Sequence, residues 1–272
     1  MLAEQFDAFL LDLDGVVYIG NAPLPHTVEV LKRLRNLGKL VRFLTNDPGP
    51  SRKQLVVRLQ KMGIEAREEE AITAGWATAL YLTQHQIGSA YVVGSSGLCT
   101  ELEEAGIHVT NEEEDRPEAV VIGCDDSITY RDIRQATRLI HRGAAFIATS
   151  ADLWFPTLHG PMPAVGTVVE AIRVACNKQP LIVGKPYPTM FQEALLSCGN
   201  IQRVVMIGDT PTSDILGAHQ VGIPALLVVR GPAPQFSNID DLCSPDACIS
   251  DLSGLFDPQI TIRPREPLIF PN

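Results

Sequence analysis

Short apolar runs alternate with longer amphipathic stretches from one end of this chain to the other, the pattern of βαβ units on a mostly parallel sheet. Residues 8–13, AFLLDL, predict a buried strand. Pro25 opens a helix whose Val30, Leu34 and Leu37 fall on one face, and Gly38 closes it. Residues 40–44 predict the next strand. Farther on, strands are expected at 181–183, 203–207 and 225–229, with helices at 188–197 and 212–221, the second stopped by Gly222. The middle of the chain reads as an α/β unit of its own. It has strands at 90–93, 119–122 and 145–148 and helices starting near Gly97 and Thr129. Thr129 and Asp132 have capping-box spacing, Ile133, Ala136 and Ile140 line the buried face, and the helix ends near Gly143.

Bulk properties narrow the function more than the fold. No run of apolar residues reaches the roughly 18 to 20 that a membrane span needs. The opening MLAEQFDAFLLDLDG lacks a basic start and puts carboxylates inside the apolar stretch, so a secretory signal is not expected and the cytoplasm is. A net charge of −10 argues against nucleic acid and anionic membranes as partners. The six cysteines, Cys99, Cys124, Cys176, Cys198, Cys243 and Cys248, form no close pair and read as buried reduced thiols. The acidic runs 68–70 and 112–115 read as solvated loops, and the proline-bearing tail after Pro258 as an extended surface segment.

Polar residues cluster directly after predicted strands. Asp12 and Asp14 follow the first, Thr45 and Asn46 the second, Lys185 the strand at 181–183, and Asp209 and Asp214 the strand at 203–207. In an open parallel sheet the carboxyl ends of the strands share one edge, so residues distant in sequence can meet there. Asp12 and Asp14 are two apart, and an extended backbone sends both side chains to the same side. Two close carboxylates cannot both ionise cheaply, so one should stay an anion while the other keeps a proton, which suits a nucleophile and a general acid. Asp209 adds a third acid, and together they imply a hard cation, for which magnesium fits best. Lys185 would supply a cation and Thr45 a hydroxyl for phosphoryl oxygens, the positioning and neutralisation that phosphoryl transfer needs.

The ordered motifs D12-L-D14-G-V, L44-T45-N46, G184-K185-P186 and G208-D209-T-P-T-S-D214 resemble those of the haloacid dehalogenase superfamily of phosphohydrolases. The long interval between the second and third motifs resembles the NagD-like and 4-nitrophenylphosphatase-like branch, as do V93-G94-S-S-G97-L98, A148-T149-S150-A151-D152 and G184-K185-P186-Y187-P188. The resemblance implies an α/β Rossmann-like parallel-sheet core, at 1–79 and 179–272, with a large α/β cap domain inserted at 80–178. It implies Mg2+ as cofactor, a small phosphorylated metabolite as substrate, and a cap that closes over the core and can carry a homodimer interface. By resemblance Asp12 is nucleophile and metal ligand, and Asp14 is the general acid/base that lends its backbone carbonyl to the metal. Thr45, Asn46 and Lys185 hold phosphate, Asp209 ligates the metal, and Asp214 supports the metal site from close by. Asp at position 14 separates the phosphatases of this superfamily from its dehalogenases.

The chain departs from that pattern in two places. Asp47-Pro48 replaces the usual Asn-Ser after Asn46, setting an extra carboxylate beside the phosphate site, and Pro163-Ala164-Val165-Gly166 replaces a Gly-rich turn. Asp125, Asp152, Trp154 and His159 are the cap residues expected nearest the site, with packing the stronger expectation for Trp154 and Phe155, and a plain loop place for His159. Tyr187 is expected either to flank substrate or to pack. The expected reaction is hydrolysis of a phosphomonoester through an aspartyl phosphate on Asp12, and the alternative is phosphoryl transfer of the mutase kind on the same core. A receiver-type signalling module would lack the acid at position 14, and Gly94–Gly97 lacks the spacing of a dinucleotide loop.

Overall fold

The computed structural model describes residues 1–110, 116–157, 160–231 and 241–262. The acidic run at 112–115, His159 and the tail beyond 262 therefore lie outside the described residues. The chain forms two compact units. The first comprises Met1–Thr45, Val56–Ile72 and Lys185–Asn272, and the second Asn46–Leu55 and Thr73–Gly184.

The first unit is built on a six-stranded sheet ordered Ala247–Ile249, Ala225–Val228, Val204–Gly208, Ala8–Asp12, Leu40–Thr45, Ala71–Thr73. It is parallel from Ala247–Ile249 through Leu40–Thr45. Ala8–Asp12 and Val204–Gly208 are buried at every position. Strands covered on both faces carry continuous apolar runs, which is why these segments show no alternation. The helix Thr27–Asn36 turns Val30, Leu31 and Leu34 inward, and Gly38 leaves it at φ +69°, the left-handed conformation a glycine exit provides. At the start of strand Ala225–Val228, His219 and Asp246 form a buried pair at 2.9 Å, and Asp246 also accepts the Ala225 amide at 2.7 Å. The run at 68–70 is not a plain solvated loop. It is a short 3-10 turn, Glu68–Glu70, whose Glu70 carboxylate takes a 2.7 Å bond from Arg35.

The second unit carries a five-stranded parallel sheet ordered Leu181–Ile182, Ala145–Ala148, Ala119–Ile122, Ser89–Val93, His108–Thr110. Helices Tyr130–His141 and Val165–Cys176 cover Tyr91, Val93, Val120, Ile122 and Phe146 with Ala136, Leu139, Ile140, Val169 and Ile172. The capping box forms as expected, with the Asp132 carboxylate accepting the Thr129 amide at 2.7 Å. Segment 46–55 belongs to this unit through two ties. Ser95 donates its hydroxyl to the Gly49 carbonyl at 2.6 Å, and Arg52 pairs with the buried Glu101 at 2.8 Å while stacking 3.3 Å over the Trp76 ring.

Leu181–Ile182 pairs with Ala145–Ala148. The strand leading to Lys185 is thus an edge of the second sheet, not a member of the sheet that carries Asp12, as a single shared edge would require. Cysteines also divide differently from the expectation: Cys176, Cys198 and Cys243 are buried, Cys99 and Cys124 partly so, and Cys248 is exposed.

Candidate active site

Strand register sets the site in the first unit. Asp12 pairs with Leu44 on one side, and Leu11 with Ile207 on the other. Thr45 and Asp209 therefore fall one residue beyond the level of Asp12, on flanking strands at the same carboxyl edge. Asp12 and Thr45 are buried, and Asp209 is partly so.

Lys185, itself buried, joins the acids. Its ammonium lies 2.5 Å from Asp12 Oδ1 and 2.7 Å from Asp214 Oδ1. Asp214 Oδ2 also accepts the Thr210 amide at 3.1 Å, which fixes the carboxylate at the start of the segment Pro211–Ile215. One oxygen each of Asp12, Asp209 and Asp214 lies within 4.8 Å of the others. Two glycines make room for this. A Cβ on Gly15 would stand 1.9 Å from Asp209 Oδ2, and one on Gly208 2.1 Å from Asp214 Cβ. Gly15 also holds φ +87°, where L side chains are strained.

Three carboxylates and one ammonium leave an excess of negative charge. Burial, reinforced by Asp214 and Asp209 and opposed by Lys185, pushes Asp12 up to about 8. Burial and Asp214 also raise Asp209, against the Thr210 hydroxyl, Arg230 and Lys185. Against burial, which lowers it, Asp12 and Asp214 hold Lys185 above the ordinary lysine range, so it is the charged partner. Without a metal, Asp12, the expected anion, is the group inclined to keep a proton. An oxygen-only donor set with this charge suits a small hard dication, whose field would restore the carboxylate forms.

Asp14 is exposed and forms an isolated bridge with Tyr18, so the two acids of the opening motif differ sharply in environment. Asn46 lies in the second unit, where its amide donates to Asp152 Oδ2 at 2.8 Å. Asp47 turns its carboxylate onto the Gly49 amide at 2.9 Å. Asp125 closes a local turn by accepting the Ser127 hydroxyl and the Ser127 amide, the latter at 2.9 Å, and these bonds hold its carboxyl below the usual range. Trp154 and Phe155, for which packing was expected, are 61% and 45% exposed, and Tyr187 is 39% exposed.

Arg230 went unnoticed in the sequence. Its guanidinium lies 3.3 Å from Asp209 Oδ2, and it follows the Ala225–Val228 strand closely, the position that marked the other site residues.

Comparison with known proteins identifies the family. A family model described as haloacid dehalogenase-like hydrolase matches residues 9–108, and a second, HAD-hydrolase-like, matches 182–255. An acid sugar phosphatase of Staphylococcus aureus is 34% identical over 230 residues, covering 84% of this chain and 88% of that protein. The glycerol phosphate phosphatase Rv1692 of Mycobacterium tuberculosis, solved in complex with magnesium, superposes with a TM-score of 0.87 at 29% identity, covering 93% of this chain and 77% of that one. NagD of E. coli K-12 gives 0.82 at 28% identity, covering 92% and 98%. With two family models, a relative aligned over most of both lengths and solved structures that superpose over nearly the whole chain, the chain belongs to the haloacid dehalogenase-like hydrolases, among their NagD-like phosphatases.

Proposed function

We propose that this chain hydrolyses small phosphomonoesters through an aspartyl phosphate on Asp12, with Asp14 as general acid/base and Mg2+ as cofactor. One observation carries the reading: a buried lysine ammonium shared by Asp12 and Asp214 inside a three-carboxylate cluster. A structural ion pair would need only one acid. The surplus acids make sense when a dication and a phosphoryl group enter together.

Asp12, Asp209 and the Asp14 main-chain carbonyl would hold the magnesium, with Asp214 beside them. Bound there, the ion supplies positive charge for the carboxylates and the phosphoryl oxygens. Asp12 then forms an O–P bond as the bond from phosphorus to the leaving oxygen breaks, and Asp14 gives that oxygen a proton. In the second half a water oxygen bonds to phosphorus, its proton passes to Asp14, and the Asp12–phosphorus bond breaks to free phosphate. Exposure of Asp14 fits a group that must meet both a leaving alcohol and an entering water. Lys185 and the Thr45 hydroxyl neutralise and orient the phosphoryl oxygens. The names of the relatives put sugar phosphates and glycerol phosphate first among substrates to try.

The test is Asp12→Asn assayed on a phosphomonoester panel with and without Mg2+, alongside acid quenching of the unaltered protein with labelled substrate. Loss of turnover by at least about 10³-fold and an acid-stable, base-labile label are expected. Normal turnover by Asp12→Asn would sink the mechanism, and label moved to an added alcohol in place of water would favour the transferase alternative.

A further inference from the structure

Outside the catalytic cluster, the second unit contains a network whose placement has no purely local explanation. The chain passes from the first unit to the second between Thr45 and Asn46, and returns between Gly184 and Lys185. Each crossing is one peptide bond from a residue assigned to phosphate binding. Both crossings are gripped by the same turn at 149–152. Asn46 Nδ2 donates to Asp152 Oδ2 at 2.8 Å, and the Gly184 amide donates to the Thr149 carbonyl at 2.9 Å. Asn46 and Gly184 also meet each other, since a Cβ on Gly184 would lie 2.6 Å from Asn46 Oδ1 and 2.6 Å from the Thr149 carbonyl.

The turn itself is preset. Thr149 and Ser150 are buried, and the Ser150 hydroxyl donates to the same Asp152 Oδ2 at 3.1 Å while accepting the Asp152 amide at 3.2 Å. On the far side the Gly166 amide donates to the Asp152 carbonyl at 2.8 Å, and a Cβ on Gly166 would come within 2.4 Å of the Ala151 carbonyl. A carboxylate fixed in this way offers Asn46 one orientation.

We infer that Asp152 is a positioning residue for the phosphate site, acting through Asn46. It commits the Asn46 side chain to the second unit, so that Asn46 serves phosphate through its main chain, and it holds the two crossings in one register. Thr45 and Lys185 are thereby delivered together. The inference rests on the phosphate-site reading proposed above. Both bonds to Asp152 end on a single oxygen, so an asparagine with Oδ1 in that place keeps them and loses only the charge.

Asp152→Ala, Asp152→Asn, Asn46→Ala and the double alanine variant test this in the full-length protein. The probes are p-nitrophenyl phosphate as substrate and inorganic phosphate as competitive inhibitor, with Mg2+ saturating. Asp152→Ala should raise KM and the phosphate inhibition constant about 5- to 10-fold, the worth of one ordinary hydrogen bond. Asp152→Asn should stay within about 2-fold of the unaltered protein, and the double variant should be no worse than Asn46→Ala. Additive losses, or Asp152→Asn as impaired as Asp152→Ala, would overturn the inference, because either puts Asp152 in contact with substrate independently of Asn46. An active Asp12→Asn protein would instead indict the underlying site reading. A dead Asp12→Asn with an additive cycle removes only the role of Asp152.

Discussion

Replacing Gly15 by alanine separates backbone strain from damage to the carboxylate cluster. At φ +87° an L side chain costs about 1 to 2 kcal/mol, because its Cβ crowds the neighbouring carbonyl. For a chain of this length that lowers the unfolding midpoint by about 2 to 4 °C. The added methyl would also stand 1.9 Å from Asp209 Oδ2, where ordinary contact begins near 3.4 Å, and 3.0 Å from the Arg230 guanidinium. Asp209 must swing away from partners whose oxygens lie within 4.8 Å of its own. A displacement of about 1 Å at a positioned group costs roughly 10²-fold in rate. Gly15→Ala should therefore lose about 10²-fold in kcat/KM and bind Mg2+ at least about tenfold more weakly by calorimetry. Gly38→Ala is the control. Its φ is +69° but nothing lies within 4 Å of its added Cβ, so it should lose stability alone. If Gly15→Ala matched Gly38→Ala in Mg2+ affinity and turnover, the assignment of Asp209 to the metal site would be wrong.

Two further outcomes follow from charge and burial. Asp12 is raised from 3.8 to about 8 and Asp209 is raised as well, so the folded metal-free protein holds more protons than the unfolded chain across that interval. The stability these groups contribute is complete below about 4 and declines as pH rises toward 8. The melting temperature without metal should fall between pH 5 and 8 while Mg2+ affinity tightens, by up to roughly tenfold per pH unit for each proton released. A metal-free protein that grew more stable across this interval would refute the assignment. In the second unit, Glu101→Ala removes the buried carboxylate from Arg52, which keeps Glu104 at 3.4 Å and the Trp76 face, and should cost about 1.5 to 3 kcal/mol in urea unfolding, whereas a loss under about 0.5 kcal/mol would mean the pair is solvated.

How far the sequence could be read depended on local signal. Buried strands such as Val204–Gly208 and Ala119–Ile122 announce themselves as unbroken apolar runs, and the carboxyl-edge rule puts Asp12 and Asp209 at one sheet edge, where the structure has them on adjacent strands. Strands of three residues, Ala71–Thr73, His108–Thr110 and Ala247–Ile249, are too short to show a period. Helix Val165–Cys176 hides behind Val165, Val168, Val169 and Ile172, β-branched residues that would suit a strand equally well. Nothing in residues 181–183 says which of two sheets they join, because that choice is made by contacts with Ala145–Ala148. The partners Asn46 and Asp152 are likewise 106 positions apart, and no spacing rule links them.

Gly208 has a consequence for reading related chains. Its missing side chain is the volume that Asp214 occupies, so any relative with a larger residue there cannot keep that acid in place. On the mechanism proposed for Asp12, such a chain could retain every other motif and still be a pseudoenzyme, a scaffold that folds but no longer turns over. One position invisible to motif searches for charged residues would thus sort active members from silent ones.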